Sequence, residues 1–184
     1  MVIVFIGPPG CGKGTQANIL KDSILPDLNI LTVSSLLKEK SQDESILGKD
    51  IKNKMDNGDL IEDTIVISVL KEKVSTLSDE QILIDGFPRS SIQADSLLEI
   101  FENKDLSIIN FDVDDEQLLQ RIKKRSIEES RADDSFFEKR LLIYKKTHLE
   151  ILNSLKKNFQ VNDIQANDEI GTVTAKIVDK LGLN

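Results

Sequence analysis

Two groups of residues in this 184-residue chain have the types and spacing to handle phosphate. The first is the run Gly7-Pro8-Pro9-Gly10-Cys11-Gly12-Lys13-Gly14-Thr15. It meets the pattern G-x-x-x-x-G-K, with Gly14 where a Ser or Thr usually follows the lysine and Thr15 one place later. The glycines let successive backbone N–H groups curl around phosphate oxygens. A helix starting near Lys13 adds the positive end of its dipole. Lys13 reaches the outer phosphates as a point charge. Gly10, Cys11, Gly12, Lys13, Gly14 and Thr15 are therefore candidate binders of a nucleoside triphosphate. Thr15 is also a candidate contact to the β-phosphate or to the shell of a magnesium ion. The Cys11 thiol lies among converging N–H groups, which can activate it. The plainer reading is that this position needs only a small residue.

The second group is the arginines. The chain has 19 lysines but only five arginines: Arg89, Arg121, Arg125, Arg131 and Arg140. Four of these fall within residues 121–140. A planar guanidinium grips two oxygens at once and stacks on a ring, which an ammonium cannot do. Residues 121–146 hold nine basic against five acidic residues, whereas the whole chain carries a net charge of -8. Composition alone does not explain one basic segment in an acidic protein. The overall balance argues against a nucleic-acid partner.

The elements that must position these residues alternate between short apolar runs and longer helical stretches. Strands are predicted at residues 2–6, 29–32, 81–85, 108–113 and 159–165. Helices are predicted at 13–24, 36–40, 46–57, 62–75, 91–102 and 115–127, the last capped by Asp114. A long helix is expected from Asp133 or Asp134 to about residue 155. In a final helix Ile170, Val173, Ile177, Val178 and Leu181 share a face. Buried strands alternating with helices imply an α/β fold around a five-stranded parallel sheet. Ligands bind such sheets beyond the carboxyl ends of the strands, which is where the phosphate-handling residues fall.

Composition sets the remaining bounds. Hydrophobic residues make up 39% and charged residues 30%, which fits a globular domain able to bury a core. A single Cys and a single His, His148, leave no Cys-based zinc site and little for other transition metals. The first residues resemble neither a signal peptide nor a membrane span. The expected setting is cytoplasmic, with no membrane partner.

The run GPPGCGKGTQ resembles that of adenylate kinases and their relatives, and four further stretches are similar in order. They are Met55-x-x-Gly58-x-Leu60-Ile61; Asp85-Gly86-Phe87-Pro88-Arg89 followed by Gln93; Arg121-x-x-x-Arg125; and Arg131-x-Asp133-Asp134 with Arg140. The resemblance covers nearly the whole chain. It implies a three-layer P-loop NTPase fold over residues 1–184, with an acceptor-nucleotide arm at 33–62 and a lid at 125–132. It implies transfer of the γ-phosphoryl of ATP to AMP, giving two ADP, with magnesium; the cysteine count adds the expectation of no zinc, and a monomer is expected because nothing in the sequence suggests an exposed apolar interface. The implied acceptor site is Lys38, Gly58, Leu60, Ile61, Gly86, Arg89 and Gln93. Arg89 would bind the acceptor's phosphate and Gln93 its base edge. Arg125, Arg131 and Arg140, with Lys13, would close on the transferring group. Arg121 would stack on the donor adenine, and Asp85 would hold magnesium through water. The ordinary alternatives are ion pairs of the arginines with Glu128, Asp133 or Asp134, and a turn-capping role for Asp85.

Two features depart from the family pattern. Only Ser126–Ser130 separate Arg125 from Arg131, so the lid is of the short form and lacks metal-binding cysteines. After the second strand, Val33, Ser35 and Lys38 stand where the pattern has Thr, Asp and Arg. Acceptor identity is therefore open at this stage. The alternatives are a related kinase accepting UMP or CMP, and a nucleotide-binding protein with weak kinase activity.

Overall fold

The computed structural model describes residues 1–57, 59, 61–77, 80–102, 104–129 and 137–183, and the side chains of all of these except 124–129. Its strands are β1 (Val2–Ile6), β2 (Asn29–Thr32), β3 (Ile82–Asp85), β4 (Leu106–Asp112) and β5 (Val161–Gln165). They form one parallel sheet in the order β2-β3-β1-β4-β5. The helices are α1 (Lys13–Ser23), α2 (Val33–Lys40), α3 (Ile46–Asn57), α4 (Asp63–Ser75), α5 (Ser91–Ile100), α6 (Asp115–Glu129), α7 (Phe137–Asn158) and α8 (Ile170–Leu181). The sequence-based expectation of an α/β fold with five parallel strands holds.

β1 is buried along its whole length because it lies at the centre of the sheet with helices over both faces. Its residues alternate between two cores. Val2, Val4 and Ile6 pack with Leu70, Ile84, Leu97 and Leu155 on one face. Ile3 and Phe5 pack with Leu20, Leu83, Phe111 and Ile177 on the other. Each such side chain contributes roughly 1.5–3 kcal/mol by leaving water. The parallel register aligns the carboxyl ends: Phe5 pairs with Asp85, Thr32 with Asp85, and Ile6 with Asn110. All the strand-end residues that matter for chemistry therefore emerge on one edge.

Two expectations need correction. α2 begins at Val33, not residue 36, directly after the extended Thr32. Val33 is buried with Leu36 and Leu37, so packing outweighs the weak helix preference of a β-branched residue and two serines. Ile170 is 58% exposed, so the core-facing side of α8 is formed by the buried Val173 and Ile177 with the partly buried Val178 and Leu181. Asp114 accepts the first backbone bond of α6, from Leu118 N–H. Its carboxylate, however, accepts from the Asn167 amide at 2.7 Å, which ties the start of α6 to the loop after β5. The expected helix start at Asp133 or Asp134 lies outside the described residues.

α2 and α3 lean on the first core through Leu36, Leu37 and Ile51. Lys54 on α3 bridges Asp50 at 2.7 Å and Glu62 at 2.6 Å. Its ammonium holds the Glu62 carboxyl below the usual carboxylate value. This bond joins the end of α3 to the start of α4 at the surface, where such pairs contribute little stability.

His148 is half-buried on α7 and stacks on Tyr144, one turn earlier, at 4.5 Å between ring centres. Both line a cavity of about 110 Å³ with Pro8, Asp112 and Lys145. Burial lowers the imidazole from its ordinary value of 6.5; the Asp163 and Asp112 carboxylates oppose this and Lys156 assists it. The unfolded chain therefore binds a proton at His148 at a higher pH than the folded chain does. The resulting stability is fully present above 6.5 and is lost as pH falls below it. His148→Gln should flatten the fall in melting temperature between about pH 7 and about pH 5. Thermal melts of both proteins across that range would check this, and parallel curves would contradict it.

Candidate active site

The phosphate-type loop runs from Ile6 at the end of β1 to Lys13 at the start of α1. Gly10 has φ +82° and passes so close to α6 that a Cβ would lie 2.7 Å from Cδ1 of Ile122. Only glycine meets both conditions. Gly12 caps α1 without any side-chain hydrogen bond, and the first turn carries no acidic residue. The helix therefore keeps its N–H groups and positive end for a ligand. Lys13 folds back over the loop, and its ammonium donates to Gly7 O at 2.8 Å and Pro8 O at 2.9 Å. It also lies 3.3 Å from the buried Cys11 sulfur. Gly14 and Thr15 are exposed on the first turn of α1.

Asp85 ends β3 beside this loop. Its Oδ2 lies 3.9 Å from where a Cβ on Gly14 would stand, so the missing side chain leaves space between the carboxylate and the helix start. The turn that follows contains a cis Phe87–Pro88 peptide. Phe87 is wholly buried in the core and fixes the turn to the sheet. Gly86 has φ +84°, and a Cβ there would lie 2.9 Å from the Arg89 guanidinium. Arg89 Nε donates to Gly86 O at 2.8 Å, so this arginine is folded against its own turn.

Arg121 on α6 points back at the phosphate-type loop. It donates to Cys11 O at 3.2 Å and to Ala166 O at 2.7 Å. These bonds use the edge of the guanidinium and leave its flat faces for stacking. They also link the loop after β1, α6 and the loop after β5. Gln16, almost buried on α1, adds a second link by donating to Ile170 O and accepting from Thr174.

Gln93 is only 4% exposed. Its Oε1 accepts from Arg89 N–H at 2.8 Å and its Nε2 donates to Asp63 Oδ1 at 2.7 Å. Its amide thus already carries two internal bonds. Ser90 caps α5, accepting from Gln93 N–H and donating to Asp63 Oδ2 at 2.8 Å. The spacing Ser90-x-x-Gln93 is a capping signature that could have been read from sequence. Asp63 could not, since its partners lie 27 and 30 residues away.

The fold therefore brings Gly10, Cys11, Gly12, Lys13, Gly14, Thr15 and Arg121 together around one loop. It sets Asp85, Gly86, Arg89 and Gln93 at the adjoining strand end. Lys38 is exposed on α2, Ile61 precedes α4, and Arg140 is half-buried near the start of α7. Gly58, Leu60, Arg131 and the Arg125 side chain lie outside the described residues. Among the described residues, no group of three or more His, Cys, Asp or Glu could hold a metal ion, and no helix is long and apolar enough to cross a membrane.

Comparison with known proteins agrees with this geometry. The family model described as adenylate kinase matches residues 5–160. The adenylate kinase of Leptospira biflexa serovar Patoc is 32% identical over 185 residues, spanning 96% of this chain and 98% of that protein. Those of Prochlorococcus marinus strains MIT 9211 and NATL2A are 32% and 33% identical, each covering 98% of this chain. With a glycine-bounded lysine loop, the Asp85–Arg89 turn beside it and a match along nearly the whole length, the chain belongs to the adenylate kinase family.

Proposed function

We propose that this chain transfers the γ-phosphoryl group of ATP to AMP, giving two ADP. The observation that carries the reading is the pairing, on one sheet edge, of the Lys13 loop with the Asp85–Arg89 turn in a chain of this family. One half suits a triphosphate and the other a second, phosphorylated acceptor. A kinase accepting UMP or CMP would share the donor half, but the relatives on which the family assignment rests are adenylate kinases.

Phosphoryl transfer needs charge spread over several oxygens while donor and acceptor stay in line. In the proposed roles, the loop N–H groups of Gly10, Cys11, Gly12, Gly14 and Thr15 cradle the donor phosphates. Lys13 leaves its carbonyl partners for the outer phosphates. Arg121 offers its face to the donor adenine. Arg89 and Lys38 hold the acceptor phosphate. Gly58, Leu60, Ile61, Gly86 and Gln93 surround the acceptor nucleoside. Arg125, Arg131 and Arg140 close on the transferring group from a short lid at 125–132, and the segment 33–62 acts as the acceptor arm. Closure excludes water, which would otherwise take the phosphoryl group. No covalent enzyme intermediate is needed; positioning and electrostatics suffice.

The space between Asp85 and Gly14 fits a magnesium ion arriving with ATP, since magnesium keeps several waters and takes one or two carboxylates. Asp85, through water, and Thr15 would hold it. The ion would neutralise charge on the donor phosphates. We read the protein as a cytoplasmic monomer acting on free nucleotides, without nucleic-acid or membrane partners.

The test is an acceptor panel at fixed ATP. AMP should be turned over best, and a clear advantage for UMP or CMP would overturn the reading. Lys13→Ala should lower kcat by on the order of 10²–10³-fold or more, as expected for loss of a charge-stabilising donor. Lys38→Arg should lower the KM for AMP, because a guanidinium grips two phosphate oxygens where an ammonium holds one. An unchanged KM would show that the phosphate is held elsewhere.

A further inference from the structure

Asp63, the first residue of α4, belongs to none of the motifs that mark the phosphate sites. Both oxygens of its carboxylate nevertheless accept bonds from residues just after the Asp85–Arg89 turn. Oδ1 accepts from Gln93 Nε2 at 2.7 Å and Oδ2 accepts from Ser90 Oγ at 2.8 Å. On the other side of the same amide, Gln93 Oε1 accepts from Arg89 N–H at 2.8 Å.

These partners settle which way the amide faces. A carboxylate only accepts and a backbone N–H only donates. The nitrogen of Gln93 must therefore face Asp63 and its oxygen must face Arg89 N–H. Turning the amide over would break both bonds and set oxygen against oxygen and N–H against N–H, in a side chain only 4% exposed. Without Asp63 the oxygen-against-oxygen contact would be gone, and the Arg89 N–H alone would oppose a turned amide.

Two bonding positions on the amide remain: one N–H of Nε2 and one lone pair of Oε1. One donor and one acceptor together suit an edge that offers an amino N–H next to a ring nitrogen acceptor, the pattern of a 6-aminopurine. A 6-oxopurine offers the reverse order, a carbonyl next to a ring N–H. With the acceptor's phosphate held at Arg89, that base cannot be turned end for end to compensate.

We propose that Asp63 is a positioning residue for acceptor-base selection: by fixing the order of the Gln93 amide, it makes the site accept a 6-aminopurine and reject a 6-oxopurine nucleotide. The inference rests on the reading of Gln93 as the contact to the acceptor base edge. Ser90, bonded to the other carboxylate oxygen, holds Asp63 at the right height and caps α5 at the same time.

The test compares kcat and KM for AMP and IMP, at saturating ATP, in the wild type, Asp63→Asn and Ser90→Ala. An asparagine can accept from Gln93 Nε2 or give a hydrogen to Gln93 Oε1, so it removes the repulsion that Asp63 sets against the turned amide and leaves the Arg89 N–H as the one contact opposing it. Asp63→Asn should keep kcat for AMP within a few-fold, raise the KM for AMP, and lower the AMP-over-IMP ratio of kcat/KM by about tenfold or more. Ser90→Ala removes the helix cap but leaves the Gln93 bond. It should lower the melting temperature and keep the AMP-over-IMP ratio. Asp63→Ser, which also offers a donor, serves if Asp63→Asn does not fold. Asp63→Glu, which keeps an accepting carboxylate, should restore the ratio. An unchanged ratio in a folded Asp63→Asn or Asp63→Ser protein overturns the proposal. So does an equal loss of kcat with both acceptors, which would mark a merely structural role. If the wild type phosphorylates neither purine nucleotide, the functional reading fails first, and that result is distinct from the other two.

Discussion

The Lys13 ammonium, bonded to the carbonyls of Gly7 and Pro8, is the interaction on which the rest of the site depends. It holds a positive charge inside a loop whose backbone N–H groups are also positive at their exposed ends. Such a loop closes only if its glycines adopt conformations that other residues avoid, and only if both its ends are fixed. β1 fixes one end by being buried on both faces, and α1 fixes the other by packing Ala17 and Leu20 into the second core. Ile122, lying over Gly10, and Arg121, bonded to Cys11 O, close the loop from α6. A wholly buried strand thus runs straight into the turn that carries Lys13.

Around that loop the chain separates two kinds of positive charge. Lys54 and Lys40 sit toward the surface, where a single charge is enough to bridge Glu62 and Glu72. Arg89 and Arg121 make directed bonds to backbone carbonyls, Arg89 to Gly86 and Arg121 to Ala166. A guanidinium tied at its edge has a fixed plane, and a fixed plane can discriminate among ligands. Gln93 follows the same logic with a neutral amide whose two ends are held by Asp63 and Arg89. In each case the functional group is set by bonds made before any ligand arrives, so less ordering remains to oppose binding.

Much of this was legible in the sequence, for physical reasons. β1 and β3 are continuous apolar runs because a central parallel strand is buried on both faces, and such runs stand out against turns. The phosphate-type loop was legible because backbone curvature demands glycine at set positions. What escaped was decided by contacts distant in sequence. Val33 carries no helix signal of its own, and the first core claims it for α2. Ile170 fits the apolar stripe of α8 by spacing, yet it lies beyond the edge of the core. Asp63 shows no local pattern because its partners are on another helix, and the carbonyls of Ala166 and Cys11 that hold Arg121 carry no side-chain signal at all.

The central claim is that the Lys13 loop and the Asp85–Arg89 turn form the two halves of one site, with the transferring group between them. The most direct measurement is a calorimetric titration of the protein with a bisubstrate analogue that joins two adenosines through a polyphosphate chain, set beside a titration with AMP. Two halves of one site should bind the analogue once per chain and at least ~100-fold more tightly than AMP, because the linked ligand spans both halves in the geometry of transfer. An affinity within a few-fold of that for AMP would contradict the account.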